Sequence, residues 1–88
     1  MPVNVWNRTI DLKPAVKIYR DSQDIPKTAE RAVEIIEQSG WLEETPYPDT
    51  LRDHLNQLKQ ATTRDEYSDA FDYIYHVADE DRVWIETF

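Results

Sequence analysis

Eighty-eight residues carrying a net charge of −8, with 40% hydrophobic and 32% charged side chains, sit at the small end of what one core can stabilise, so two domains and a walled catalytic cleft are nearly excluded. Three Trp and five Tyr supply burial units that disordered chains lack, while the absence of Cys removes disulfides, thiolate chemistry and the common structural zinc sites. Met-Pro-Val-Asn does not open a signal peptide and no apolar run is long enough to span a bilayer, so a cytoplasmic protein is expected.

In chain order, Val3 to Trp6 reads as an extended segment, with a continuation to Ile10 through Asn7-Arg8. Asp11 is the expected N-cap of a first helix over about residues 12 to 21, with Leu12, Ala15, Val16 and Tyr19 on one face and Pro14 in the first turn. Pro26, whose fixed φ suits a helix start, opens a second helix with Ile25, Ala29, Ala32, Val33 and Ile36 as its buried stripe. The sole glycine, Gly40, ends it as a left-handed terminal residue, and Trp41 folds back onto the last turn. Glu43 to Pro48 reads as a loop, after which Asp49 or Thr50 caps a third helix bearing Leu51, Leu55 and Leu58 and ending near Ala61.

Thr62 or Thr63 caps a fourth helix, with Asp65 and Glu66 in the first turn where they favour the dipole. Past Asp81 the period changes from 3.6 to 2, and Val83, Ile85 and Thr87 alternate with Trp84, Glu86 and Phe88 as a strand does. A lone strand would leave its backbone groups unpaired, so Val3 to Trp6 is its expected partner. The predicted fold is mainly α within the α+β class, four short helices with a small sheet formed by the N- and C-terminal strands.

The charge is uneven. Residues 1 to 26 carry a net +1, residues 27 to 62 a net −3, and residues 63 to 88 a net −6. Such an acidic end repels nucleic acid and anionic membranes, which excludes both as direct partners and favours a protein with a basic surface. On a wheel of roughly 100° per residue, Tyr67, Ala70, Phe71, Ile74, Val77 and Ala78 gather on one side of the fourth helix, and Asp65, Asp69, Asp72, His76, Asp79 and Glu80 on the other. Tyr73 and Tyr75 flank the apolar side.

A charge run on a helix is usually a solvated face, and solubility alone accounts for acids. Two features set this one apart: like charges one turn apart destabilise a helix and here are hardly interleaved with Lys or Arg, and carboxylates spaced by about 6 Å approach the phosphate spacing of a nucleic-acid strand. Asp72, His76 and Asp79 also offer a carboxylate–imidazole–carboxylate set, but exposed and without a further His or Cys, so no metal and no cofactor is expected. His54 reads as plain surface. One Gly cannot build a phosphate-binding loop, no Ser lies in a nucleophile elbow, and Glu43-Glu44 or Asp79-Glu80-Asp81 would need a cleft to act as acid–base pairs; the chain reads as no enzyme.

Trp6, Trp41 and Trp84 fall at element edges, where a core lid with its N–H near solvent is the ordinary role. The alternative is that Trp84, Phe88, Tyr73 or Tyr75 anchors a partner beside the acids, or lines a homodimer seam. The closing stretch Ala78-Asp79-Glu80-Asp81-Arg82-Val83-Trp84-Ile85, following a Tyr/Phe-rich acidic helix, and the earlier Ile10-Asp11-Leu12 with Ala15-Val16, resemble short acidic proteins encoded in the genomes of actinobacterial phages. That resemblance covers about a third of the chain and implies a setting rather than a mechanism: small acidic phage proteins often bind and disable a host factor, nucleic-acid-binding enzymes of defence systems included.

Together these observations lead to the expectation of a non-enzymatic interaction protein that engages a basic surface through the fourth helix. Asp65, Asp69, Asp72, His76, Asp79 and Glu80, with Tyr73 and Trp84 as anchors, form its candidate partner-binding surface. The competing expectation is an assembly module that dimerises or docks through apolar surface, its acids merely solvated.

Overall fold

The computed structural model describes residues 6–87. Strand β1 (Arg8–Asp11) is followed by helices α1 (Lys13–Ser22), α2 (Ile25–Gln38), α3 (Trp41–Glu44), α4 (Pro48–Lys59) and α5 (Arg64–Asp81), and the chain returns to β2 (Val83–Glu86). The mainly α architecture with a small terminal sheet is the predicted one. Its two strands run parallel, with Arg8 opposite Val83 and Ile10 opposite Ile85.

The described partner of β2 is Arg8–Asp11, within the expected continuation of the first extended segment; Trp6 precedes the ladder, and Val3 to Val5, the rest of the expected partner, lie outside the described residues. Hydrophobic register decides this: Ile10 and Ile85 face inward at 2% and 7% exposure, and sliding either strand by one residue would turn its buried side chain to water. Backbone bonds from Asn7 N–H to the Arg82 carbonyl and from Leu12 N–H to the Glu86 carbonyl, both 2.7 Å, close the ladder at its ends.

Helix α1 begins one residue later than expected, with Leu12 rather than Asp11 at the cap position. Asp11 still serves the helix start, because its Oδ1 accepts from Lys13 N–H at 2.9 Å. Asp24 caps α2 by accepting from Lys27 N–H at 3.0 Å, and Pro26 sits in the first turn. The stripe Ile25, Ala29, Ala32, Val33 and Ile36 is buried as predicted.

Gly40 takes the left-handed conformation, φ 85°, which L residues avoid, but it does not lead into a loop. The turn of helix α3 follows at once, with Thr45 to Tyr47 alone remaining between it and α4. The Arg8 guanidinium lies over Gly40, 3.1 Å from where a Cβ would stand, and donates to the Ser39 carbonyl and to Glu44. Neither Asp49 nor Thr50 caps α4: Tyr47 holds the cap position, Pro48 opens the helix where its missing N–H costs nothing, and the helix ends at Lys59 rather than near Ala61. Among the described residues all the buried apolar side chains but Ile25 and Ala61 form one cluster, to which α2, α4, α5 and the inner face of the sheet all contribute.

Candidate functional site

Helix α5 carries the candidate surface. It is the longest element, 18 residues, and a full capping box fixes its start. Thr63 Oγ1 accepts from Glu66 N–H at 3.2 Å, and the Glu66 carboxyl accepts from Thr63 N–H at 3.2 Å and from Thr62 N–H and Oγ1 at 3.0 Å. These bonds, the Thr62 backbone first, hold the Glu66 carboxyl below its ordinary value.

Its far end is fixed differently. Asp81 Oδ2 accepts from Trp41 Nε1 at 2.9 Å and from Thr45 Oγ1 at 2.6 Å. Trp41 is therefore no lid with its N–H at the solvent edge: the ring is 2% exposed and its N–H is spent on α5. Arg82 then adopts φ 57°, turning the chain into β2.

Between these two anchors the helix divides cleanly. Ala70, Phe71, Ile74, Val77 and Ala78 are buried, with Tyr67 packed partly against the core. Asp65, Asp69, Asp72, His76, Asp79 and Glu80 are all exposed on the opposite side. Among the described residues none of the five carboxylates in that row hydrogen-bonds or ion-pairs with another side chain. No Lys or Arg lies between Asp65 and Asp81. From Asp65 to Glu80 the row extends about 22 Å at the helical rise of about 1.5 Å per residue.

The structure brings six of the eight candidate residues onto this ridge and puts Tyr73 at its edge, while Trp84 stands on the neighbouring strand. Tyr73 is 53% exposed, but one ring face stacks on His54 of α4, with centroids 5.1 Å apart and planes 11° from parallel. His54 is thus not plain surface: it is half-buried, and its Nδ1 is buried without a hydrogen-bond partner. Trp84 is no core lid either, being 46% exposed on the outward face of β2 with Trp6 tilted against it at 5.2 Å.

Trp6, Tyr75, Asp79, Trp84 and Glu86 border an open groove of about 450 Å³ whose floor is Ala78, Val83 and Ile85. Tyr75 leans on Phe71 at 5.1 Å. Burial pushes its phenol above the ordinary value, with the Thr87 hydroxyl opposing and the Asp72 charge adding to the rise. Phe88, an expected anchor, lies outside the described residues. The spacing of the acids was readable in the sequence; the groove was not, because it needs β2 docked beside α5. The outward parity of Trp84 was the one signal of it.

Asp72, His76 and Asp79 line a shallow depression with Tyr75. No group of three or more His, Cys, Asp or Glu side chains among the described residues is placed to hold a metal ion. No described helix is long and apolar enough to cross a membrane. In comparisons with known proteins, no protein family, no curated protein and no solved structure matches the chain.

Proposed function

We propose that the chain is a non-enzymatic interaction protein whose α5 ridge docks on the basic, nucleic-acid-binding surface of another protein and blocks it. In the setting implied by the resemblance to acidic phage proteins, that partner is a host factor. One observation carries the reading: five exposed carboxylates share one side of a helix and, among the described residues, no cation pairs with any of them. Like charges at i, i+4 cost a helix a few tenths of a kcal/mol per pair, a cost that a basic partner would reverse. The helix is held at both ends, by the capping box and by Asp81, so the ridge keeps its shape without a partner. Trp84 and the tyrosines beside the acids supply the aromatic contact that dominates binding energy at interfaces.

The open groove beside Trp84 favours a second reading, in which apolar surface drives dimerisation or assembly and the acids serve solubility. Salt separates the two, because charge-driven binding weakens as ionic strength rises while apolar association persists or strengthens. The test is capture from an actinobacterial lysate on the immobilised protein at about 0.1 and 0.5 M salt, with Asp69→Lys/Asp72→Lys as control. A basic protein held at low salt, released at high salt and not captured by the double variant supports the proposal. Capture that the double variant retains contradicts it.

A further inference from the structure

Resting on that reading, we infer that the groove between α5 and β2 is the anchor point of the interface and receives an arginine side chain of the partner, laid against Trp84 with its guanidinium between Asp79 and Glu86. Three observations place the anchor here rather than at Tyr73. His54 already covers one face of the Tyr73 ring. Trp84 is nearly half exposed, and Trp6 behind it and Phe71 behind Tyr75 brace the two flanking rings, so little side-chain freedom is left to lose on binding. The third is charge: among the described residues Asp79 has no ion-pair partner, and Glu86 is paired with Lys13 alone, at 4.0 Å.

Arginine fits this combination better than lysine. The floor of Ala78, Val83 and Ile85 is apolar, and a strongly hydrated ammonium gains little there. A guanidinium is planar and more weakly hydrated, stacks on an indole face, and keeps its N–H donors at the rim for two carboxylates. The α5 ridge would then attract either kind of basic surface, while the groove selects the arginine.

Octa-arginine and octa-lysine, titrated into the whole protein at one salt concentration, test the assignment. The expected result is affinity for octa-arginine about tenfold higher, with the Trp84 indole resonance shifting on binding. Trp84→Leu should bring the two peptides to within about twofold of each other, whereas Asp69→Lys/Asp72→Lys should weaken both in parallel. Equal affinities, a wild-type Trp84 indole resonance that does not move, or an arginine preference that survives Trp84→Leu would each overturn the anchor and leave the ridge reading standing. Failure of both peptides to bind at low salt would remove the ridge reading and the anchor with it. Self-association of the free protein that Trp84→Leu abolishes would assign the groove to a second copy of the chain instead.

Discussion

Helices α2 and α5 each turn a stripe of acids to solvent, and the two stripes are built on different principles. On α2, Glu30, Glu34 and Glu37 are interleaved with Lys27 and Arg31; Arg31 pairs with Glu34, and Lys59 of α4 lines the same depression as all three acids. On α5 the acids follow one another with no cation among them. The first pattern is what a solvated face ordinarily looks like: mixed signs, each pair contributing a few tenths of a kcal/mol. The second leaves repulsion in place, so the five ridge carboxylates of α5 are not there to stabilise the helix. Asp81 marks the boundary. Two residues beyond Asp79 on the same helix, it faces inward and holds α3 and the loop after it.

That division can be broken at its strongest point first. Asp81→Ala leaves the Trp41 indole N–H and the Thr45 hydroxyl without their acceptor, a loss of about 2–3 kcal/mol. In a domain of this size it lowers the thermal midpoint by about 10 °C or more. Asp79→Ala, two positions away, should leave the midpoint within a few degrees. Calorimetry of the two variants side by side checks the contrast, and equal losses would show that the ridge is part of the structural frame.

Thr63→Ala removes the acceptor for Glu66 N–H and should cost about 1 kcal/mol, read from denaturant unfolding. Such a loss would confirm that α5 is held at its start by its cap rather than by its charges.

The flank of the same helix gives a pH-dependent test. Burial pushes the Tyr67 phenol up to about 12 from the ordinary 10.0, so the folded state holds the proton more tightly than the unfolded one. The associated stability is fully present below pH 10 and is lost as pH rises towards about 12. Tyr67→Phe should leave neutral-pH stability nearly unchanged and flatten the fall in that window; a variant curve parallel to wild type would place the titration elsewhere.

The smallest effect bears on the comparison itself. Neutralising an acid should have opposite signs on the two helices. Glu34→Gln forfeits the Arg31 pair, at a cost of a few tenths of a kcal/mol. Asp69→Asn relieves repulsion from Asp65 and Asp72, a gain of similar size. Matching signs would mean that the two stripes are alike after all.

Much of this was legible in the residues. The period of α5 fixed which side chains are buried and which carboxylates share a side, because amphipathicity is a local property of spacing. The cap at Thr62 or Thr63 was legible in the same local way, and Thr63 provides it. What escaped was long-range. The helical period puts Asp81 on the apolar side of α5, apart from the acids before it, but its bond to Trp41 joins side chains forty positions apart, and no local pattern names that partner. The place of β1 depended on which inward Ile could meet Ile85, and the stacked His54 depended on how α4 lies against α5. Helix α3 was hidden by its own borders: a left-handed glycine on one side and two prolines on the other resemble a loop, although Trp41–Glu44 has room for one turn between them.

If the five ridge carboxylates of α5, unlike Glu66 and Asp81, are dispensable for folding and reserved for a basic partner, then one preparation of the Asp69→Lys/Asp72→Lys variant, measured beside wild type for both thermal midpoint and salt-sensitive capture, separates folding from binding. The midpoint should be unchanged or slightly higher and capture should be lost. A variant that unfolds, or that folds and still captures the same basic protein, would contradict the claim.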